Sequence, residues 1–275
     1  MPRLDSKPSA ASSILAAFKK ATLVAIVVLL MPLYGSTTRL QSAGPTVSEV
    51  VRSGKMLVGI DPSYPPFANI DAGTQEVVGF DVDLAKEIGQ RLGVEVRFVY
   101  VDVGAIFDGL LVKRYDAIIS GIPPYPELTR QVSYSHHYFN AGQVLIRRKD
   151  DSARQGISLH GQTVGVELGS AGEEEALRQA KADRSVTVRS FDTLDGAVEA
   201  LLRHELSVVV TDFLSAVERV KPEPRLVINP EFLTFEPYVV AVRKKDVLLL
   251  GEINNALQAL EQDGFLDQLQ HKWIE

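Results

Sequence analysis

The chain contains no cysteine. This excludes disulfides, thiolate nucleophiles, cysteine-based zinc sites and a lipid-modified N-terminal cysteine. Long basic runs are absent too: none exceeds Arg147-Arg148-Lys149, and 35 acidic residues against 29 lysines and arginines give a formal net charge of −6. The footprint of a nucleic-acid binder is therefore missing. No His-Glu-x-x-His, Gly-x-Ser-x-Gly or phosphate-loop pattern occurs, and the adjacent His136 and His137 cannot both ligate a metal from one helix face. Neither a cofactor nor a metal is expected. No short repeat or low-complexity tract is present.

With 45% hydrophobic residues, there is enough apolar material for one or two cores. The most extended apolar run is Ala21 to Leu33, preceded by Lys19-Lys20 and followed by small and polar residues from Gly35 to Gly44. Thirteen residues as a helix reach about 20 Å, short of the roughly 30 Å hydrocarbon layer. A basic flank, a short apolar stretch and a polar outlet are the pattern of a signal peptide. Residues 1–45 are thus expected to be a signal peptide, or an N-terminal anchor with a linker, and the protein to be exported to the periplasm or the outer face of the cytoplasmic membrane. About 230 residues remain, near the size at which one core stops growing and chains divide.

From residue 55 onward, short apolar runs alternate with amphipathic stretches. Met56–Ile60 reads as a buried strand. Phe80, Leu84, Ile88 and Leu92 share one helix face, with Gly93 as the cap. Val94–Val101 alternates faces, Ala105–Leu111 reads as a short helix and Asp116–Ile119 as another buried strand. This β-α-β-α-β order marks an open sheet covered by helices. A second such series begins at Gln143, with strands at Val144–Ile146, Thr163–Val166, Val186–Val188 and Ser207–Thr211. Its helices are Gly172–Ala180, Leu194–Arg203 and Phe213–Val220, and the proline-rich stretch Lys221–Pro230 ends it. One strand, Tyr238–Val242, and two helices, Asp246–Gln262 and Phe265–Trp273, close the chain. They are too little for a third domain. If they return to the first unit, two crossings link the units, near Asn140-Ala141-Gly142 and Phe235-Glu236-Pro237, and make a hinge beside a cleft.

Ligands of open α/β sheets sit beyond the carboxyl ends of the strands. The residues there are Asp61 and Tyr64, Asp102 and Val103, Ser120 and Gly121, Glu167 with Gly169 and Ser170, and Asp212. Carboxylates dominate, which suits an ammonium ligand, and Tyr64 could cover a cationic or apolar group. Other readings stand beside these: Asp61 before Pro62 as a turn starter, Tyr64 as packing, Gly169–Gly172 as an ordinary strand–helix turn, and Asp212 as a helix cap.

Further motifs run in order: Tyr64-Pro65-Pro66-Phe67, Gly79-Phe80-Asp81-Val82-Asp83-Leu84, Tyr115 to Gly121, Val132-Ser133-Tyr134-Ser135 with Tyr138, Val164-Gly165-Val166 with Gly169-Ser170, Asp212, and Asp263-Gly264 with Lys272-Trp273. Together they resemble extracellular solute-binding protein family 3, the polar amino-acid binding proteins. The resemblance implies an α/β, two-lobed periplasmic-binding-protein-like (type II) fold, each lobe an open sheet flanked by helices, joined by two hinge strands. Lobe 1 would hold residues 46–141 and 236–275, and lobe 2 residues 142–235. It implies that Asp212 holds a ligand ammonium, Ser120 and Gly121 offer hydrogen bonds, and Tyr64 lies on the ligand side chain. Gly169 and Ser170 would line the second wall, and Asp61 would face the far end of the ligand. Phe67, Val103, Asp102, Arg130 and Glu167 complete the candidate set.

The chain departs from the family pattern where a ligand carboxylate would be held. The usual arginine position is Leu128, with Arg130 two residues later. Pro123-Pro124-Tyr125-Pro126 replaces hydroxyl and main-chain donors, and Ala171 stands where threonine is frequent. A buried carboxylate without a partner is costly, and a bidentate arginine is its usual remedy, so a cationic ligand is expected. The implied role is that of a monomeric solute-binding protein serving an ABC permease and its ATPase. The alternative is a periplasmic enzyme resembling cyclohexadienyl dehydratase, with Glu167 as its general acid.

Overall fold

The computed structural model describes residues 45–151 and 156–274. The expected export segment lies outside the described residues but for Pro45. Among the described residues, no helix is long and apolar enough to cross a membrane.

Helix α1 (Pro45–Ser53) leads into strand β1 (Lys55–Ile60), a small sheet of β2 (Ser63–Tyr64), β3 (Ala68–Ile70) and β4 (Val77–Val78), and helix α2 (Phe80–Leu92). Next come β5 (Glu95–Tyr100), α3 (Ile106–Leu111), β6 (Ala117–Ile118) and the long strand β7 (Val132–Asn140). The second series holds β8 (Gln143–Arg148), β9 (Thr163–Glu167), α4 (Ala171–Ala182), β10 (Thr187–Phe191), α5 (Leu194–Leu202), β11 (Val208–Asp212), α6 (Phe213–Val220) and β12 (Leu226–Ile228). Strand β13 (Pro237–Arg243) and helices α7 (Val247–Gln262) and α8 (Phe265–Trp273) close the chain.

Two five-stranded sheets result, ordered β5-β1-β6-β13-β7 and β10-β9-β11-β8-β12. β1 pairs in parallel with both β5 and β6, and β9 with both β10 and β11, as expected of helix-connected strands. The closing segment does return to the first sheet: β13 pairs antiparallel with β6 and β7, and α8 packs on α2. The proline-rich stretch, expected only to end the second series, contains β12, because the open edge of β8 offers Ile146 to Arg148 as pairing partners.

The two crossings lie side by side. The Ala141 N–H donates to the Glu236 carbonyl at 2.9 Å, and the Glu236 N–H to Asn140 Oδ1 at 2.8 Å. Gly142 is required there, since a Cβ would come within 2.3 Å of the Thr234 carbonyl oxygen. Apolar packing also passes between the sheets: the rings of Phe139 and Phe213 lie 6.0 Å apart, within one continuous buried cluster.

Candidate ligand-binding site

A cavity of about 590 Å³ opens where the carboxyl ends of the two sheets face each other. Tyr64, Gly121, Pro123 and Pro124 line it from the first sheet; Glu167, Ser170, Ala171, Gly172, Thr211, Asp212 and Leu214 line it from the second. Ala141, Gln143, Glu236, Pro237 and Tyr238 line it from the crossing strands. Another cavity, of about 390 Å³, lies between α6 and the segment after β12, and Lys221 is the one charged residue among its described lining residues.

The first-sheet wall is aromatic. Tyr64 stacks on Phe67 with ring centroids 5.3 Å apart, and its hydroxyl shares a 2.7 Å hydrogen bond with that of Tyr238. Burial first, then the hydrogen bond to Tyr64 and the charges of Asp81 and Asp212, push the Tyr238 phenol well up. Gly121 has φ +57°, and a Cβ there would sit 2.8 Å from Tyr64 Cε1. Only glycine lets the ring close over this turn. The Gly121 N–H donates to the Tyr138 hydroxyl at 3.1 Å, so it is spent within the lobe rather than offered to the cavity.

Beneath that turn, Asp81 is fully buried. Neither of its oxygens has a hydrogen bond of ordinary geometry, although Tyr138 and the Gly121 N–H lie close enough to favour the ionised form. Desolvation outweighs both and pushes the carboxyl up to about 7.

Asp61 ends β1 as expected, but its oxygens are engaged within the lobe. Oδ1 accepts from the Ser63 N–H and hydroxyl, and Oδ2 from the Val103 N–H at 2.7 Å. Burial alone would raise its pKa; these bonds override burial and hold the carboxyl below its usual range. Ser120 Oγ accepts from the Asp61 N–H at 2.9 Å, tying two strand ends together. The Val103 side chain and Asp102 are exposed, and Asp102 caps a short turn through the Gly104 N–H. Phe67 is wholly buried beneath Tyr64, so it supports the wall without forming it. Arg130 is exposed and does not line the cavity, while Leu128 packs against the cluster around Ile106 and Leu110.

The second-sheet wall presents helix starts and carboxylates. Ser170 caps α4, accepting from the Glu173 N–H at 3.1 Å, and the exposed Gly169 donates its N–H to Glu173 Oε2 at 2.7 Å. Asp212 is half-buried and caps α6 through Oδ1, which accepts from the Ser215 N–H at 3.0 Å. A carboxylate has further lone pairs, so capping leaves it acceptor capacity. Glu167 is half-buried beside it on the wall.

Reading strand ends did not reach Gln143, Glu236 and Tyr238. Gln143 is the register partner of Asp212 across β8 and β11, and its Nε2 donates to Glu236 Oε1 at 3.4 Å. Thr234 Oγ1 donates to the same oxygen at 2.9 Å. The signal available was the crossing itself: side chains on hinge strands beside a cleft must face it on one side. Among the described residues, no group of three or more histidines and carboxylates is placed to hold a metal.

Two α/β lobes, paired crossings and an acidic cavity between them define a protein that closes around a small ligand. The chain belongs to the bacterial extracellular solute-binding proteins, family 3, whose family model matches residues 56–275. It is 31% identical over 225 residues to ABC transporter arginine-binding protein 1 of Escherichia coli (strain K12), covering 80% of this chain and 90% of that protein. Among solved structures, an ancestral cationic amino acid solute binding protein shares 31% identity with a TM-score of 0.60, covering 84% of this chain and all of that one. An ancestral cyclohexadienyl dehydratase has a TM-score of 0.72 at 23% identity, covering 85% of this chain and 97% of that one, a likeness of fold alone.

Proposed function

We propose that the protein is the exported solute-binding component of an ABC-type importer, capturing a small amine-bearing, cationic ligand between its lobes. Lobe 1 comprises residues 46–141 and 236–275, and lobe 2 residues 142–235. The observation that carries the reading is the interlobe cavity, where Glu167, Asp212 and Glu236 meet no lysine, arginine or histidine among the described lining residues. Asp212 holds the ligand ammonium, and Tyr64 covers the rest of the ligand with its ring face. Ser170, with Gly169 behind it, shapes the opposing wall. Asp61, Ser120 and the Val103 N–H brace the turn that seats Tyr64. The similarity to an arginine-binding and a cationic amino acid binding protein supports a positive ligand. Closure around the ligand stabilises the form that a membrane permease and its ATPase engage, and the protein acts as a monomer.

Calorimetric titration with basic amino acids, polyamines, neutral amino acids and glutamate tests this. Cations bind and the others do not; tight binding of glutamate would overturn the reading. Asp212→Asn keeps a helix cap of equal quality and removes the charge, so affinity falls by about 2–5 kcal/mol, roughly 30-fold or more. The enzyme alternative makes Glu167 a general acid, and turnover of prephenate or arogenate by purified protein would displace the transport reading.

A further inference from the structure

Resting on that reading, we propose that the ligand is a dication without a carboxylate: an α,ω-diamine or its guanidino counterpart. The two cationic ends meet Asp212 and Glu236, with Gln143 between them.

The first support is the charge of the walls. Three carboxylates face the cavity from different elements: the end of β9, the start of α6 and the crossing before β13. Among the described lining residues, none is basic. The arginines on the two strands that reach the cavity from the crossings are committed elsewhere. Arg147 donates to Gln162 Oε1 and the Gly156 carbonyl, Arg148 to the Leu201 and Leu206 carbonyls, and Arg243 to those of Leu110 and Tyr115. A ligand carboxylate would face like charges with no cation to offset them.

The second support is the state of the main-chain donors. Two helix N-termini border the cavity among the described residues: α6, whose cap is the carboxylate of Asp212, and α4, whose Ser170, Ala171 and Gly172 line the wall and would draw an anion. Two donors around the start of α4 are already in use by the chain: Ser170 Oγ takes the Glu173 N–H, and the Glu173 carboxylate takes the Gly169 N–H. Glu173 and Glu174 in the first turn also oppose the helix dipole that would attract an anion.

The third is spacing. Asp212 and Gln143 are directly opposed across antiparallel strands, and the Gln143 amide reaches Glu236. Opposed Cα atoms lie about 4.5–5.5 Å apart, so Asp212 and Glu236 are both neighbours of one residue, Gln143, on the cavity wall. The cavity volume of about 590 Å³ holds a short flexible diamine.

Two pairs of probes differ only by the carboxylate: arginine against agmatine, and lysine against cadaverine. Calorimetric titration is expected to show the decarboxylated member binding at least about ten-fold tighter in each pair, a modest step for one added like-charge contact. Glu236→Gln, read against cadaverine and the monoamine pentylamine, is expected to weaken the diamine at least about ten-fold more than the monoamine. Amino acids that match or exceed their amines overturn the inference and leave the solute-binding reading intact. Binding of neutral or acidic amino acids alone overturns the cationic reading as well. No heat from any probe, with thermal unfolding showing folded protein, overturns both. An unchanged diamine-to-monoamine ratio in Glu236→Gln removes Glu236 from the site.

Discussion

The first lobe and the second share an architecture of one five-stranded sheet flanked by helices, yet they meet the cavity with opposite chemistry. The first presents the rings of Tyr64 and Tyr238, backed by Phe67, which lies within 5.1–5.6 Å of Tyr64, Phe80, Phe139 and Tyr238, and the polar atoms of the Asp61–Ser120 turn bond among themselves. The second presents helix caps at or just beyond its strand ends, Ser170 and Asp212, with Glu167 three residues before Ser170. One wall is therefore set by packing and the other by charge. A packed wall resists change because its shape depends on many contacts; a charged wall can alter specificity by one substitution without disturbing the core.

The strongest way to break this contrast is to remove the centre of the aromatic wall. Phe67→Ala leaves a cavity under Tyr64 and is expected to cost about 3–5 kcal/mol of stability, measured by denaturant unfolding. Asp212→Asn, by contrast, should leave the unfolding midpoint nearly unchanged, because the cap survives. If both variants lost stability equally, the division between packing and charge would fail.

Much of this was legible beforehand where local signals agree. Helix α6 spans the predicted Phe213–Val220, and α2 ends at the left-handed Gly93, since periodicity and caps act within a few residues. Strand β12 was not legible: prolines and charges around Leu226–Ile228 argue for a loop, and only the open edge of β8 makes it a strand. At the site, the strand-end rule reached Tyr64, Gly121, Glu167, Ser170 and Asp212, all on the cavity wall. It did not reach Glu236 and Tyr238, whose facing depends on how the crossing strands twist. Nor could it tell that Asp61, though at a strand end, has its oxygens occupied by Ser63 and Val103. Position in the chain locates a group; only the fold shows which of its acceptors are already spent.

A subtler probe is the buried carboxyl under the aromatic wall. Asp81 is pushed up from 3.8 to about 7 by burial. Between those values the folded state keeps a proton that the unfolded state releases, so this contribution is complete below about 4 and is lost as pH rises through about 7. Tyr138 and Tyr238 are the titratable groups facing it, and both stay neutral in that window. Asp81→Asn removes the proton uptake. Relative to wild type, the variant should gain up to about 1.4 kcal/mol of stability per pH unit across that window, measured by urea unfolding from pH 4.5 to 7.5. Parallel profiles for the two proteins would show that Asp81 is ionised throughout.

The smallest expected effect sharpens the contrast most finely. Tyr64→Phe deletes the 2.7 Å hydrogen bond to Tyr238 but keeps the ring that lies over Gly121. Losing that bond should cost about 0.5–1.5 kcal/mol of stability. Ligand affinity should change by less than about three-fold, because a phenyl face still attracts a cation. Tyr64→Ala, which removes the ring, should lose much more affinity in the same titration. If Tyr64→Phe weakened binding as much as Asp212→Asn, the first lobe would be acting through its hydroxyl, and a wall read as shape would have to be read as a hydrogen-bonding surface.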